Sequence, residues 1–241
     1  MTCAAAVVRE LSNKVRLARV RAPRLGLEGF FPKALTLEGV VYPCVLKKAT
    51  GEFGSAVRHA TNGDEFAAAM ASLGVEASTL GEDWLLQELV ASKVEYSASL
   101  LVFFGRFRDV VRTTYTYDEA VYVWPRVSED VAARRTDSTL PPSHLECFAR
   151  LLHDFTGICN VNYKVRDDGR PVIFEINPRL GADLACHCDP PARLRLLLER
   201  LDGAFPPSPR LSEALHALPD TRPRQRRRAR PPPNTPRRPP R

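Results

Sequence analysis

A chain of 241 residues with 44% hydrophobic composition can bury one large core or two small ones, which excludes a fibrous or wholly unstructured polypeptide. The formal charge of +7 suggests nucleic-acid binding, but residues 219–241 hold nine Arg and one Asp, so they supply +8 and leave the other 218 residues near −1. No stretch reaches the roughly 20 apolar residues of a membrane span, and MTCAAAVVRE runs into charge too soon for a secretory signal. An intracellular, cytoplasmic protein without membrane association is expected.

In chain order, the first strand signal is YPCVLKK, residues 42–48. Alternate strand residues face opposite sides, so only one of Lys47 and Lys48 can point into a cleft. The GEFGS stretch at 51–55 reads either as an ordinary hairpin turn or as a loop whose backbone N–H groups approach phosphate oxygens. DEFAAAMASL, 64–73, is a helix stopped by Gly74, and VEYSASLLVFFGRF and RDVVRTTYTY are strands rich in Val, Phe, Tyr and Thr. Ser143 to Glu146 reads as a capping box opening a helix with Leu145, Phe148, Leu151, Leu152 and Phe155 at helical spacing and Gly157 at its end. His144 is then an N-terminal helix residue and not a catalyst. A last helix is expected over 192–201, closing at Gly203.

Six cysteines lack framework spacing and read as reduced core thiols. Cys186-His187-Cys188 looks like half of a metal site, but no second Cys/His pair stands at zinc-site spacing, so its role is structural or incidental. From near Pro206 the chain becomes Pro- and Arg-rich, with nothing to bury, and is expected to be disordered. That tail could contact phosphates, but it has no aromatic residues for base stacking, so nucleic-acid binding is not the favoured reading.

The most informative stretch is CNVNYKVRDDGRPVIFEINPRLG, residues 159–181. Asp168-Gly169 is a strong hairpin signal. A two-residue turn there pairs Val165 with Val172, Tyr163 with Phe174 and Val161 with Ile176 on one apolar face. The other face then pairs Lys164 with Ile173, Asn162 with Glu175 and Asn160 with Asn177. Glu175, Asn177 and Asn162 converge there, a set of oxygen donors suited to Mg2+ completed by waters and substrate phosphates. A plain solvated sheet face is the alternative.

These residues resemble the metal-binding end of the ATP-grasp superfamily. Three more segments agree in order and spacing: residues 42–66 resemble its lysine strand and phosphate-covering loop, LLQELV at 85–90 its adenine hinge, and VEYSASLLVFFG at 94–105 its ribose-contacting strand. The flavour is that of the carboxylate-amine ligase and carbamoyl-phosphate-synthase-like branch. The resemblance implies an α+β fold of two α/β lobes clamping the nucleotide, within an ATP-grasp domain over 1–205, with a small lobe at about 35–90 and a large lobe at about 91–205, followed by the tail at 206–241. It implies Lys47 at the phosphates, with Gly54 and Ser55 in the covering loop. Glu88 and Leu89 would lie at the adenine edge and Glu95 at the ribose. Asn162, Glu175 and Asn177 would hold Mg2+, with Mn2+ as the alternative ion, and Arg179 would face the transferred phosphate. The implied activity is an ATP-dependent ligase that turns a carboxylate into an acylphosphate for attack by an amine.

Two departures bear on that activity: Ala56 stands where the covering loop often has another glycine, and Asn162 where a carboxylate or glutamine is usual. Such ligases also carry an N-terminal domain that builds part of the substrate pocket, so a fragment, or a remnant that binds nucleotide without turnover, is the first alternative. A nucleic-acid-binding module acting through the Arg-rich tail is the second.

Overall fold

The computed structural model describes residues 4–51, 56–122 and 126–185. It starts with a helix, Ala5–Ser12, that breaks at Asn13; the Asn13 side chain accepts from the Arg16 N–H at 2.9 Å and restarts the chain as helical turns over residues 14–24. Leu11, Leu17, Ala22 and Leu27 from this segment enter the main core. Arg21 is fully buried; its Nε and Nη2 donate to the Leu151 carbonyl at 3.0 and 2.8 Å, and its guanidinium pairs with Glu10 and Asp154. A buried charge is tolerated only when it is paired this fully.

Three antiparallel strands form the first sheet: β1 (Cys44–Lys48) lies between β2 (Val57–Ala60) and β3 (Trp84–Glu88). A helix, Gly63–Leu73, covers it where 64–73 was expected, and here a capping arrangement does form: Asn62 accepts from the Glu65 N–H while Glu65 accepts from the Thr61 N–H. Phe66 from that helix packs with Leu46, Trp84 and Leu86 of the sheet. Cys44 and Leu46 of β1 enter the core of this sheet, Lys47 is buried at 5% exposure, and Lys48 at the strand end faces solvent.

The second sheet has five antiparallel strands in the order β6-β5-β4-β7-β8. β4 (Val94–Phe103) and β5 (Arg106–Thr116) are joined by Phe104 and Gly105, with φ of 48° and 69°. Two successive left-handed residues make a primed two-residue turn, so the strand expected to run through residues 104 and 105 turns there instead. A Cβ at position 105 would meet the His153 carbonyl oxygen at 2.3 Å, so only glycine fits. β6 (Arg135–Asp137) adds an edge, and β7 (Gly157–Val165) and β8 (Pro171–Asn177) complete the sheet.

Between β6 and β7 lies the helix Pro142–Leu151, and it corrects the expectation at its start. Its N-cap is Pro141, which has no side chain able to cap; Ser143 sits inside the first turn and no capping box forms. His144, Cys147, Phe148 and Leu151 form the buried face, whereas Leu145 is 41% exposed. His144 is therefore a core residue, its ring nitrogens 3.4 Å from the Tyr163 hydroxyl and 3.2 Å from the Gly169 carbonyl oxygen. Burial holds its imidazole below the usual histidine range. Gly157 does not end this helix but begins β7.

The β7–β8 register is as expected at one end and shifted at the other. Asn160 opposes Asn177, Val161 opposes Ile176 and Asn162 opposes Glu175, but beyond a bulge Tyr163 opposes Ile173, Lys164 opposes Val172 and Val165 opposes Pro171. The cause is the turn: Gly169, with φ of 81°, donates to the Arg166 carbonyl at 2.8 Å, and Arg166 N–H donates to Arg170 O, giving a three-residue loop in place of two. The bulge absorbs the one-residue difference. In consequence Ile173, not Phe174, joins Tyr163 in the core, and Phe174 turns to the opposite face.

The core under the second sheet packs Ala98, Leu100, Val102, Cys159, Val161 and Tyr163 against the helix Pro142–Leu151 and the N-terminal segment. Cys44, Cys147 and Cys159 are buried free thiols, as expected, and burial raises the pKa of each. Cys3, Cys186-His187-Cys188, the helix expected over 192–201 and the Pro/Arg-rich tail lie outside the described residues. No helix among the described residues is long and apolar enough to cross a membrane.

Candidate functional site

The face of the second sheet away from that core is polar, yet much of it is buried. Asn160 donates from Nδ2 to Ser97 Oγ at 2.7 Å, Ser99 Oγ at 3.2 Å and Asp183 Oδ1 at 3.1 Å, and Ser99 donates to the Asp183 carboxylate at 3.0 Å. All four side chains are buried. The reading of this face as merely solvated is therefore overturned: its groups are removed from water and bonded to one another, as buried polar groups must be.

Between this face and the first sheet lies a cavity of about 190 Å3. β1 contributes Val45 and Lys47 to its wall, the end of β3 contributes Glu88, the segment after it Leu89 and Val90, and β8 contributes Phe174 and Glu175. Lys47 donates from Nζ to the Phe174 carbonyl at 2.9 Å, tying the first sheet to the second. Burial drives its pKa down to about 7, against the opposing pull of Glu175 and with a further push from Lys14. An amine poised this way gains a proton readily when an anion arrives.

Glu175 sits at the centre of a charge cluster. Its Oε1 accepts from Asn162 Nδ2 at 3.0 Å and from Asn177 Nδ2 at 3.1 Å, and its Oε2 pairs with the Lys14 ammonium at 2.9 Å. Burial works to raise the Glu175 carboxyl, but Lys14, Asn177 and Lys47 outweigh it and hold the group below the usual carboxylate range. The three expected metal ligands are thus brought together. A carboxylate and two amides that can offer oxygen suit a hard cation, and the Lys14 ammonium is a cation already seated there. Among the described residues no group of three His, Cys, Asp or Glu side chains gathers in a way that could hold a metal, so any ion here would depend on the asparagines.

At the other end of the cavity, Glu95 accepts from the Tyr122 hydroxyl at 2.6 Å; burial raises its carboxyl pKa. Lys164 donates to the Val90 carbonyl at 3.2 Å and lies 4.2 Å from the centre of the Tyr122 ring, with its pKa lowered by burial. Glu88 is anchored on the cavity edge by the Lys33 N–H at 3.0 Å and by an ion pair with Arg166. The Leu89 N–H donates to the Pro43 carbonyl at 3.2 Å, so that donor is already engaged. Arg179 is exposed beyond β8, its Nη1 donating to the Leu180 carbonyl at 3.1 Å, and it does not line the cavity. Gly54 and Ser55 lie outside the described residues.

Lys14, Tyr122 and Lys164 are cavity residues that the sequence reading gave no role in the site. Lys14 follows Leu11 and precedes Leu17 by helical steps of three, so a lysine stood on an otherwise apolar stripe, and that was its signal. Tyr122 gave none, because it comes from a loop. Lys164 shares the face of Asn160 and Asn162 by alternation, but its expected neighbour Ile173 was displaced by the bulge.

No protein-family model matches the sequence, and no curated protein is similar to it. Solved structures are similar in fold. An L-amino acid ligase from Bacillus licheniformis superposes with a TM-score of 0.54 at 15% identity, over 75% of this chain and 43% of that one. A carboxyaminoimidazole ribonucleotide synthase from Aspergillus clavatus, complexed with ATP, gives 0.50 at 16% identity, over 73% of this chain and 47% of that one. A D-alanine–D-alanine ligase from Bacillus anthracis gives 0.47 at 17% identity, over 81% and 66%. The chain thus spans less than half the length of the first two. The first two are ATP-grasp enzymes, and this chain has the ATP-grasp fold: an α+β arrangement of antiparallel sheets.

Proposed function

We propose that the chain binds ATP with Mg2+ in this cavity and uses it to join a carboxylate to an amine. The observation that carries the reading is the convergence of Lys47, Lys14 and the Glu175–Asn162–Asn177 set in one buried cavity of an ATP-grasp fold. Residues of about 35–90 act as the small lobe and those of about 91–205 as the large lobe. Lys47 neutralises phosphate charge as a point cation, and Gly54 and Ser55 cover the phosphates with backbone N–H groups. Glu95 accepts from the ribose hydroxyls, while Glu88 and the backbone near Leu89 border the base. Glu175, Asn162 and Asn177 would hold Mg2+, or Mn2+ in its place, which when bound neutralises phosphate oxygens.

In the reaction, an oxygen of the substrate carboxylate attacks the γ-phosphorus and the bond to the ADP oxygen breaks. The amine nitrogen then attacks the acyl carbon, and inorganic phosphate leaves. The chain contributes positioning and positive charge, and Arg179 supplies a planar fork for the transferred phosphate once it turns inward. The experiment is ADP release from Mg-ATP with a panel of amino acids; a stimulation that depends on one carboxylate and one amine supports the ligase. A second reading, nucleotide binding without turnover, is favoured by the single carboxylate of the metal set, already paired with Lys14. Tight ATP binding with no ADP release under any substrate pair would select it.

A further inference from the structure

A second cavity, of about 960 Å3, shares only Glu88 with the first. Its volume falls within the roughly 300–1,000 Å3 usual for small-molecule sites. Three separate parts of the chain bring cations to it: Arg19 from the helical turns near the N-terminus, Lys33 from the segment before β1, and Arg166 and Arg170 from the turn between β7 and β8. Phe31, Pro32 and Ala34 add apolar surface. The charge is not cancelled inside the cavity, because among the described residues its only carboxylates are Glu28 and Glu88. Glu88 is already engaged by the Arg166 guanidinium and the Lys33 backbone N–H. Arg19 donates one N–H to the Leu35 carbonyl at 2.9 Å, and Arg170 pairs through Nε with Asp168 at 2.6 Å, so both keep N–H groups with no acceptor among the described residues. The Lys33 ammonium has neither a hydrogen bond nor an ion pair among the described residues. Arg19, Lys33 and Arg170 are exposed and open to a ligand.

We propose that this cavity is a second ligand site, and that it takes a small organic anion, a phosphate or carboxylate group carried on an apolar body. Cations gathered in a concave surface with too few carboxylates raise the local concentration of anions. A guanidinium presents paired donors that match a phosphate or carboxylate, and the Lys33 ammonium adds a point charge. The apolar body of the ligand covers Phe31, Pro32 and Ala34, which a bare inorganic ion would leave wet. The site stands whether or not the first cavity takes ATP, because Lys33, Arg19 and Arg170 do not line that cavity.

The test titrates phenyl phosphate into the full chain by calorimetry. Residues 219–241 hold nine Arg and would attract the same probe, so two double variants are compared: Lys33→Gln with Arg170→Gln in the cavity, and Arg226→Gln with Arg227→Gln outside it, each removing two charges. The unaltered chain should bind phenyl phosphate with a dissociation constant below about 1 mM. The cavity variant should bind it about tenfold more weakly and the other variant within about twofold of the unaltered chain. Inorganic phosphate, which lacks the apolar body, should bind about tenfold more weakly than phenyl phosphate. Saturating ADP should leave phenyl phosphate affinity within about twofold, since the two cavities share only Glu88. Equal losses in the two variants, or no binding to the unaltered chain at 1 mM, would overturn the site. Displacement of phenyl phosphate by ADP would overturn it as well, by making the cavity an extension of the first. Equal affinity for inorganic phosphate would contradict an organic ligand. The melting temperature of the cavity variant is measured alongside; both altered side chains are exposed, so a folded variant is expected.

Discussion

The two faces of the five-stranded sheet are buried by different means. On one, Ala98, Leu100, Val102, Cys159 and Val161 are wholly removed from water and packed against a helix. On the other, set one residue along the same strands, Ser97, Ser99, Asn160 and Lys164 are nearly as deeply buried but are satisfied by hydrogen bonds. An antiparallel sheet with one working face leaves its polar side to water. Here the polar side is enclosed as well, and desolvated charge is stabilised only by specific partners, which makes this the face able to discriminate among ligands.

The comparison makes ordered predictions. Leu100→Ala, on the apolar face, should lower the unfolding free energy by about 2–5 kcal/mol through cavity formation, yet leave the nucleotide affinity of the folded fraction within about twofold. Denaturant titration alongside calorimetry checks both; a large loss of affinity would show that the faces are not separable. Asp183→Asn, on the polar face, should cost about 1–3 kcal/mol, because Asn160 and Ser99 both donate to that carboxylate. A change below about 0.5 kcal/mol would mean that the buried polar cluster adds nothing to stability.

A smaller effect is expected at Lys47 and Lys48, adjacent residues on opposite sides of β1. Lys47→Ala should weaken ATP binding about tenfold, near 1.4 kcal/mol, while the exposed Lys48→Ala changes it by less than about twofold. Equal losses would contradict the register. A pH effect tests the same cation. Burial lowers the Lys47 pKa to about 7, below its unfolded value, so the buried amine costs stability that is fully felt below about pH 7 and fades as pH rises toward the usual lysine range of about 10.4. Phosphates beside it favour the charged form. ATP binding should therefore take up more protons at pH 8 than at pH 6, as read from calorimetry in buffers of different ionisation enthalpy. Proton uptake that does not fall at the lower pH would argue against Lys47 as the phosphate cation.

What was legible in the sequence follows the same division. The pairing of Asn162 with Glu175 could be read from Asp168-Gly169 and alternation alone, although the turn has three residues and a bulge cancels the error before the metal set is reached. That only one of Lys47 and Lys48 faces the cavity followed from the period of a strand, and the resemblance pointed to Lys47. The partners of the charges could not be read: Glu88 is fixed by Arg166 and Glu175 by Lys14, and each pair is far apart in sequence and joined only by packing. The missing capping box has a local cause. Pro142 takes the first helical position and moves the N-cap two residues back, from Ser143 to Pro141, so Ser143 lies inside the first turn and cannot cap it.

The most direct test of the polar face as a metal-nucleotide site is calorimetric titration of ATP into the full chain and into Glu175→Gln, each with and without Mg2+. The unaltered chain should bind ATP at least about tenfold more tightly with Mg2+ than without, and the folded fraction of Glu175→Gln should lose that difference, although the unpaired Lys14 ammonium lowers the stability of the variant. An undiminished Mg2+ effect in Glu175→Gln would contradict the account.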